Sequence, residues 1–571
     1  MRKHWPYAAV TAVLAAVVAV WAIPNLGDDA YFGYGGQSSP GVPAPLPSLS
    51  PDLLLLPMSA EILLLAVGVG LLVQIYSTAY LGHHRRYRSY GLIIILFLLA
   101  MAAVVATTNL WVLLVGWEVM GLCSYLLIAH DWETPEARAG AAKAFLITRV
   151  ADLGLVLAII VIGQAYGTYD ILGALLAASD GQKSPTVIGL LILFAVVGKS
   201  AQFPLQSWLP DAMPGPTPIT ALIHAATMVA AGVYLAARLF PLYSASAIAI
   251  ASMAVISGIT MLLGALFALV QTDLKRALAW STVSQLAFMF AAISASDPQA
   301  GIDHLISHGA FKALLFLGCG CLMLAVGSSA LSEMGGLRRA MPVTFWTMTI
   351  GFAALAGVVP TAGFFTKDSV LESIRVATEG DGPLGTVFAY VLLVIAILTS
   401  FLTAAYATRL WLMAFFGPRR DTHSDMGREA PGAMTVPLVI LAVSTVALSI
   451  GQPFHLGIGL LSTLVAASGI GIVVWRRRTQ GNLDIDAPRL VDGLGLDTPW
   501  SRWIPALVRA MSREVVAIDR DAVDVYPQAL AAAAGLGSRG LGLVQSRNVQ
   551  RYATIMSAGV VMLVIAAVIW T

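Results

Sequence analysis

The stretch Phe194–Arg238, FAVVGKSAQFPLQSWLPDAMPGPTPITALIHAATMVAAGVYLAAR, decides the fold. An apolar run begins near Val187, Lys199 sits about a dozen residues into it, and Pro204 follows five residues later. Proline removes an amide donor and clashes with the preceding turn, so a helix here must break. In hydrocarbon a lysine costs about 2.5–3.5 kcal/mol, and freed backbone groups persist only where protein or a wet cavity satisfies them. A lysine snorkelling from a span end is the alternative. Against it, Ser200, Gln202 and Gln206 keep the segment polar well beyond the lysine.

Outward from this stretch the chain is apolar almost throughout: 58% of its 571 residues are hydrophobic and 11% charged, which marks a polytopic membrane protein. Apolar runs centre near Gly70, Leu98, Gly121, Leu155, Ala201, Met228, Gly258, Phe288, Leu315, Leu355, Ile397, Ala442, Val465 and Val561. With Met1–Trp21, which reads as a first span or a signal segment, they predict about 15 spans. The expected divisions are 1–57, a first span and a proline-rich external loop; 58–475, the transmembrane core; 476–550, a polar linker with a short helix interrupted at Pro527; and 551–571, a terminal span.

Basic segments alternate onto one face: Arg2/Lys3, the HHRRYR segment, Arg138/Lys143, Lys275/Arg276, Arg338/Arg339, Arg419/Arg420 and Arg476–Arg478. Asp28, Asp29, Asp170, Asp180, Asp297, Glu379 and Asp381 fall on the other. The positive-inside rule makes the first face cytoplasmic, with the N-terminus inside and the C-terminus outside. No basic tract suggests nucleic acid, and the net charge of +2 says little about partners. Cys123, Cys319 and Cys321 lie in apolar runs without metal-site spacing and read as packing residues.

Of 33 basic residues only seven are lysines, yet Lys199, Lys312 and Lys367 fall inside apolar runs. An ammonium changes protonation state there and a guanidinium does not. Glu118, in LWVLLVGWEVMGLCSYLLI, must be paired or protonated. Asp152 follows Arg149 by three residues, a spacing at which the two can meet locally on a helix. His224 lies beyond the broken helix. In DHLISHGAFKALLFL, His304, His308 and Lys312 recur every four residues, so they stack on one helix face with about 6 Å between steps. The glutamate of HExxH is absent and Lys312 repels a cation, so no metal is expected at this stripe. PTAGFFTKDSVL repeats the first theme with Pro360 and Lys367. Two proline-broken, lysine-bearing helices on spans of opposite direction predict an inverted duplication.

At these residues the chain resembles the large antiporter-like subunit of respiratory complex I, called subunit 5 or subunit L. The likeness runs from IYSTAYL to KDSVLES and includes GWEVMGLCSYLLI, RVADLG, PLQSWLPDAMPGPTPITALIHAATMVAAGVYL, TDLKRALAWSTVSQL, HGAFKALLFL and PTAGFFTKD. The resemblance implies a bundle with two inverted five-helix repeats and a proton path through Glu118, Asp152, Lys199, His224, His304, His308, Lys312 and Lys367. It implies a proton-translocating subunit of an NADH:quinone oxidoreductase in the plasma membrane, an enzyme through its complex. NADH, FMN, iron–sulfur clusters and quinone are expected in partner membrane and peripheral subunits. No dinucleotide loop, cluster-binding cysteine set or haem motif is seen in this chain. Family members usually carry one more span before the proline-rich loop. A subunit of a multi-subunit cation/proton antiporter or of an inorganic-carbon uptake complex is the alternative. The physical reading and the resemblance together lead to an ion pair between Glu118 and Lys199, worth about 4 kcal/mol at 4 Å and an effective dielectric near 20.

Overall fold

The computed structural model describes residues 4–26, 57–179, 185–380, 382–418, 428–545 and 548–570. Nearly all of the proline-rich loop, with Asp28 and Asp29, lies outside these residues, as do Arg2, Lys3, Asp180, Lys183, Asp381, Arg419 and Arg420.

Among the described residues the chain is helical and without strands. Its first unit, residues 1–494, contains α1 (Trp5–Ala22), α2 (Pro57–Tyr80), α3 (Tyr87–Ala106), α4 (Leu110–Ile128), α5 (Pro135–Tyr166), α6 (Ile171–Ser179), α7 (Thr186–Lys199), α8 (Trp208–Asp211), α9 (Thr217–Ala225) and α10 (Met228–Arg238). It continues with α11 (Ala247–Val270), α12 (Leu274–Ser294), α13 (Pro298–Val326), α14 (Pro342–Ala356), α15 (Ala362–Ala377), α16 (Thr386–Phe415), α17 (Gly432–Ala447), α18 (Leu456–Gln480) and α19 (Pro488–Val491). Among the described residues twelve helical segments are long and apolar enough to cross a membrane, α9 and α10 together forming one. α7, α14 and α17 are shorter apolar helices, which brings the number to the fifteen expected from the apolar runs.

Burial locates the centre of the bundle. α9, α10 and α12 are enclosed all round and α13 nearly so, whereas about half of α5 and of α16 faces outward. A helix apolar and buried on every side belongs in the middle of its bundle. The polar residues on α9, α12 and α13 therefore sit at the membrane protein's core and not on its lipid face.

An internal repeat is visible in how two helical hairpins close. Asn109 caps α4 by accepting from the Trp111 and Val112 amides, and Asp273 caps α12 by accepting from the Arg276 amide. Each capping residue also forms an isolated antiparallel bridge to the segment just beyond the following helix, Asn109 with Asp170 and Asp273 with Ala330. The backbone bonds correspond: Leu110 N to Tyr169 O (2.9 Å) and Ile171 N to Thr108 O (2.7 Å) in one, Leu274 N to Ser329 O (2.9 Å) and Leu331 N to Thr272 O (2.8 Å) in the other. The broken helices follow each hairpin, α7 ending at Lys199 and α14 giving way to α15 near Pro360. Counting crossings through α5, α7, α9/α10 and α11, α12 is the fifth span after α4. The two hairpins therefore run in opposite directions, as inverted repeats require.

Both breaks are satisfied by their surroundings. At the first, Ser200 Oγ donates to Val229 O (2.7 Å), Gln202 Nε2 to Ser200 O (2.8 Å), and Trp208 Nε1 to Gly198 O (2.9 Å). The Phe203 amide finds Thr260 Oγ1 at 2.9 Å. At the second, Gly357 supplies the left-handed residue (φ +76°) that ends α14, and Val358 N returns to Ala353 O (2.9 Å).

The second unit, residues 495–571, holds α20 (Ile504–Ile518), α21 (Val525–Val544) and α22 (Val549–Trp570). π-turns at Pro499–Trp503 and Asp519–Val523 flank α20, and α21 begins after the single turn residue Asp524, so nearly all of Pro499–Val544 is helical. This is more helix than the sequence reading expected, and Pro527 does not interrupt it. Pro527 is the third residue of α21, in the first turn, where an amide has no intrahelical partner to lose. Leu507, Met511, Val515 and Ile518 recur at helical spacing along α20 and are exposed.

Candidate functional site

Lys199 ends α7 at the break and is completely buried. Its Nζ lies 3.3 Å from Asp152 Oδ2 and 3.3 Å from Trp117 O, and 4.7 Å from the centroid of the Trp117 ring. Asp152, on α5, is 1% exposed and also accepts from Trp117 Nε1 at 2.5 Å. The indole and the ammonium thus converge on one carboxylate.

Glu118 is placed differently from the expectation. It pairs with Arg149 of α5, whose guanidinium lies 4.8 Å from the Phe145 ring centroid. Lys199 forms its ion pair with Asp152, so the expected Glu118–Lys199 pair is corrected, as is the local Arg149–Asp152 pair. Burial explains the assignment. Glu118 and Arg149 keep side-chain exposures of 25% and 38%. Lys199 is fully buried, and Asp152 supplies it with a carboxylate that is itself buried.

The stripe on α13 is buried along its whole length. His304 shares its Nδ1 with Thr366 Oγ1 (2.9 Å) and its Nε2 with Gln285 Oε1 (3.3 Å). His304 and His308 have ring centroids 6.4 Å apart, as a four-residue step predicts. Lys312 Nζ donates to Ser281 Oγ and to Leu278 O (3.3 Å) on α12. His224, on α9, stands over Phe316 with centroids 4.6 Å apart. Electrostatic neighbours link these groups: His224 with Lys312, and His308 with His224, His304, Lys312 and Lys367. The rings of His224 and His308 are buried with no protein hydrogen-bond partner at either nitrogen.

Lys367, on α15 just past the second break, donates to Leu355 O (3.0 Å) and lies 5.5 Å from the Phe288 centroid. Beside it, Asp368 accepts from the His455 amide (3.0 Å) and faces His455 Nδ1 at 3.3 Å. His455 lines a cavity of about 590 Å³ with Asp297, Asp303, Ser369, Glu372 and Ser373. The sequence reading missed Asp368 and His455, which are 87 positions apart. The repeat offered a partial signal for Asp368, since a charged residue next to a lysine in a broken span needs a partner of its own.

The eight residues singled out in the sequence thus fall into three buried clusters: Asp152 with Lys199, and Glu118 nearby with Arg149; the His224, His304, His308 and Lys312 group; and Lys367 with its outward neighbours. Each of the eight is of a type that can take up or release a proton. Among the described residues the array contains no cysteine set for a cluster, all three cysteines being free and buried.

The transmembrane region of the NADH:quinone oxidoreductase/Mrp antiporter family matches residues 107–395, half of the chain, and the N-terminal region of NADH-ubiquinone oxidoreductase (complex I) chain 5 matches residues 48–90. NADH-quinone oxidoreductase subunit L of Mycobacterium tuberculosis is 42% identical over 393 residues, covering 68% of this chain and 61% of its own length. F(420)H(2) dehydrogenase subunit L of Methanosarcina mazei is 40% identical over 426 residues, covering 68% of this chain and 62% of its own. The chain thus spans about three fifths of the length of these curated relatives. A structure of the Mrp complex from Dietzia sp. superposes with a TM-score of 0.71 at 27% identity, covering all of this chain and 60% of that one. The matched region, residues 107–395, contains all eight residues read as ionisable site groups, and on this ground the chain belongs to the NADH:quinone oxidoreductase/Mrp antiporter transmembrane family.

Proposed function

We propose that this chain is the proton-translocating membrane subunit of an NADH:quinone oxidoreductase-type complex, with Glu118, Asp152, Lys199, His224, His304, His308, Lys312 and Lys367 forming the path. The observation that carries the reading is Lys199: a fully buried ammonium at a helix break, held by one buried carboxylate. At 3.3 Å and an effective dielectric near 20 that attraction is about 5 kcal/mol. Loosening the pair makes the lysine's proton transferable. The buried, partnerless atoms Gln202 Oε1, Gln206 Oε1, Ser207 Oγ and the nitrogens of His224 and His308 mark where ordered water is required between the lysine and the stripe. Lys367, Asp368 and the cavity beside His455 complete the route to the opposite face.

In this reading the redox cofactors, NADH, FMN, iron–sulfur clusters and quinone, belong to partner subunits, and the complex sits in the plasma membrane with the N-terminus of this chain inside and its C-terminus outside. In this reading the chain divides into a first span and external loop (1–57), the transmembrane core (58–475), a polar linker (476–550) and a terminal span (551–571). The exposed apolar row on α20 suits contact with neighbouring membrane subunits. A second reading, a subunit of a multi-subunit cation/proton antiporter, is favoured by one observation: the superposition on the Mrp complex structure spans the entire chain.

The test is Lys199→Ala in the native complex. Proton pumping into inverted vesicles is expected to fall well below electron transfer while the complex remains intact. Equal loss of both would remove the path, and co-purification with cation-antiporter subunits in place of redox subunits would move the chain to the second reading.

A further inference from the structure

A cluster outside the path joins the α2–α3 turn to the 3₁₀ turn that ends α4 (Ala129–Asp131). His84 Nε2 lies 2.9 Å from Asp131 Oδ1, and His84 Nδ1 lies 3.0 Å from His130 Nε2. One donor atom from each of the three residues can be chosen so that all lie within 4.8 Å of one another. His130 is 6% exposed and is fixed edge-on to the Tyr90 ring, at 5.5 Å between centroids. His84 and Asp131 keep side-chain exposures of 31% and 40%, so the cluster opens to solvent on one side only.

The surroundings hold the two turns in place. Arg86 donates to His130 O (3.0 Å) and engages the Glu133 carboxylate, so the guanidinium is committed to Glu133 and the backbone. It also lies 5.2 Å from the Trp132 ring centroid. A support of this kind, orienting the residues that carry the donors, is what a metal site needs around its ligands.

Two imidazoles and one carboxylate are the donor set of zinc and similar ions; calcium and magnesium take oxygen ligands. A tetrahedral ion with bonds of about 2.0–2.1 Å needs donors roughly 3.4 Å apart. His84 can offer an ion only one of its nitrogens, either Nε2, 2.9 Å from Asp131, or Nδ1, 3.0 Å from His130, so one separation already lies inside that spacing and the others, within 4.8 Å, close by side-chain rotation. We propose that His84, His130 and Asp131 bind a divalent transition-metal ion of the zinc class, with solvent in the fourth position, and that the ion ties the α2–α3 turn to the end of the helix carrying Glu118. The site does not depend on the proton reading.

The experiment is a Zn²⁺ titration of the purified full chain after chelator treatment, with Co²⁺ absorption as a second probe of coordination. One tight Zn²⁺ per chain is expected, with a four-coordinate Co²⁺ spectrum. His84→Gln and Asp131→Asn, both at partly exposed positions, should each weaken binding by roughly tenfold or more. His83→Gln, altering the exposed neighbour that is not in the cluster, should leave it unchanged. Thermal unfolding of each variant without metal confirms the fold. Absence of tight binding to the native chain, or equal binding by the His84 and Asp131 variants, would overturn the proposal and leave the cluster as a hydrogen-bonded clasp.

Discussion

Asp152 Oδ2 lies 3.3 Å from the Lys199 ammonium, so the carboxylate that holds the lysine comes from α5, one helical turn beyond the arginine that occupies Glu118. The two pairs share one helix but not one environment. Asp152–Lys199 is fully buried, and Glu118–Arg149 is partly exposed. Breaking α5 away from α7 would disturb the first pair directly and the second through its neighbour.

Removing one partner of a buried pair leaves a charge without compensation, at about 3–5 kcal/mol. Asp152→Asn is therefore expected to lower the thermal stability of the purified chain by about that amount, and Glu118→Gln by about 0–1 kcal/mol, since its pair is partly exposed. The double variant Asp152→Asn/Lys199→Met should regain much of the loss. If the double variant is no more stable than Asp152→Asn alone, the two residues are not energetically coupled.

Lys199 and Lys312 are expected to tolerate arginine poorly although charge is kept. Among the described residues Lys312 Nζ donates to Ser281 Oγ and Leu278 O in a fully buried site, and two acceptors are too few for five guanidinium donors. Arginine also stays protonated, so it cannot pass a proton on. Vesicle acidification by either Arg variant should fall by roughly tenfold or more. Native rates in both would mean that positive charge alone suffices.

Much of this arrangement was legible in the sequence because local rules produce it. Pro204 and Pro360 mark the breaks, and a four-residue period fixes the His304, His308 and Lys312 face whatever surrounds it. Pair identity was not legible. Arg149 and Asp152 are three residues apart, so sequence alone offers Glu118, Lys199 and each other as partners, and only burial decides among them. The same limit hid Asp368–His455 and the His84, His130 and Asp131 cluster, whose members are 87 and 46 positions apart. The helical content of Pro499–Val544 was underestimated because a proline within a run reads as a break until its place in the first turn is known.

Helix spacing offers a way to disturb the site without altering any ionisable group. A Cβ added at Gly198 would lie 2.0 Å from the Ala151 Cβ, so α5 and α7 touch at the residues just before Asp152 and Lys199. Gly198→Ala must push the helices apart, at about 1–3 kcal/mol for overpacking. Proton pumping should fall while the unfolding transition stays cooperative. Unchanged pumping would show that the Asp152–Lys199 distance is not limiting.

The inverted repeat places the two lysines at breaks that face opposite ways, so each half of the path is expected to be wet from its own side of the membrane. Ser369, two residues after Lys367, lines the cavity shared with Glu372 and His455, whereas Glu136 is exposed at the start of α5, next to the basic Arg138/Lys143 segment. Native Cys123, Cys319 and Cys321 are buried, which keeps the background low for thiol labelling. With a membrane-impermeant thiol reagent, Glu136→Cys should react in inverted vesicles and Ser369→Cys in right-side-out ones. A closed cavity would leave Ser369→Cys unreactive from both sides, and for that reason the exposed Glu379→Cys is labelled in parallel as a marker of the outer face. Should Glu136 and Glu379 label from the same side, the crossings between them are not odd in number and the inverted arrangement of the two half-paths is wrong.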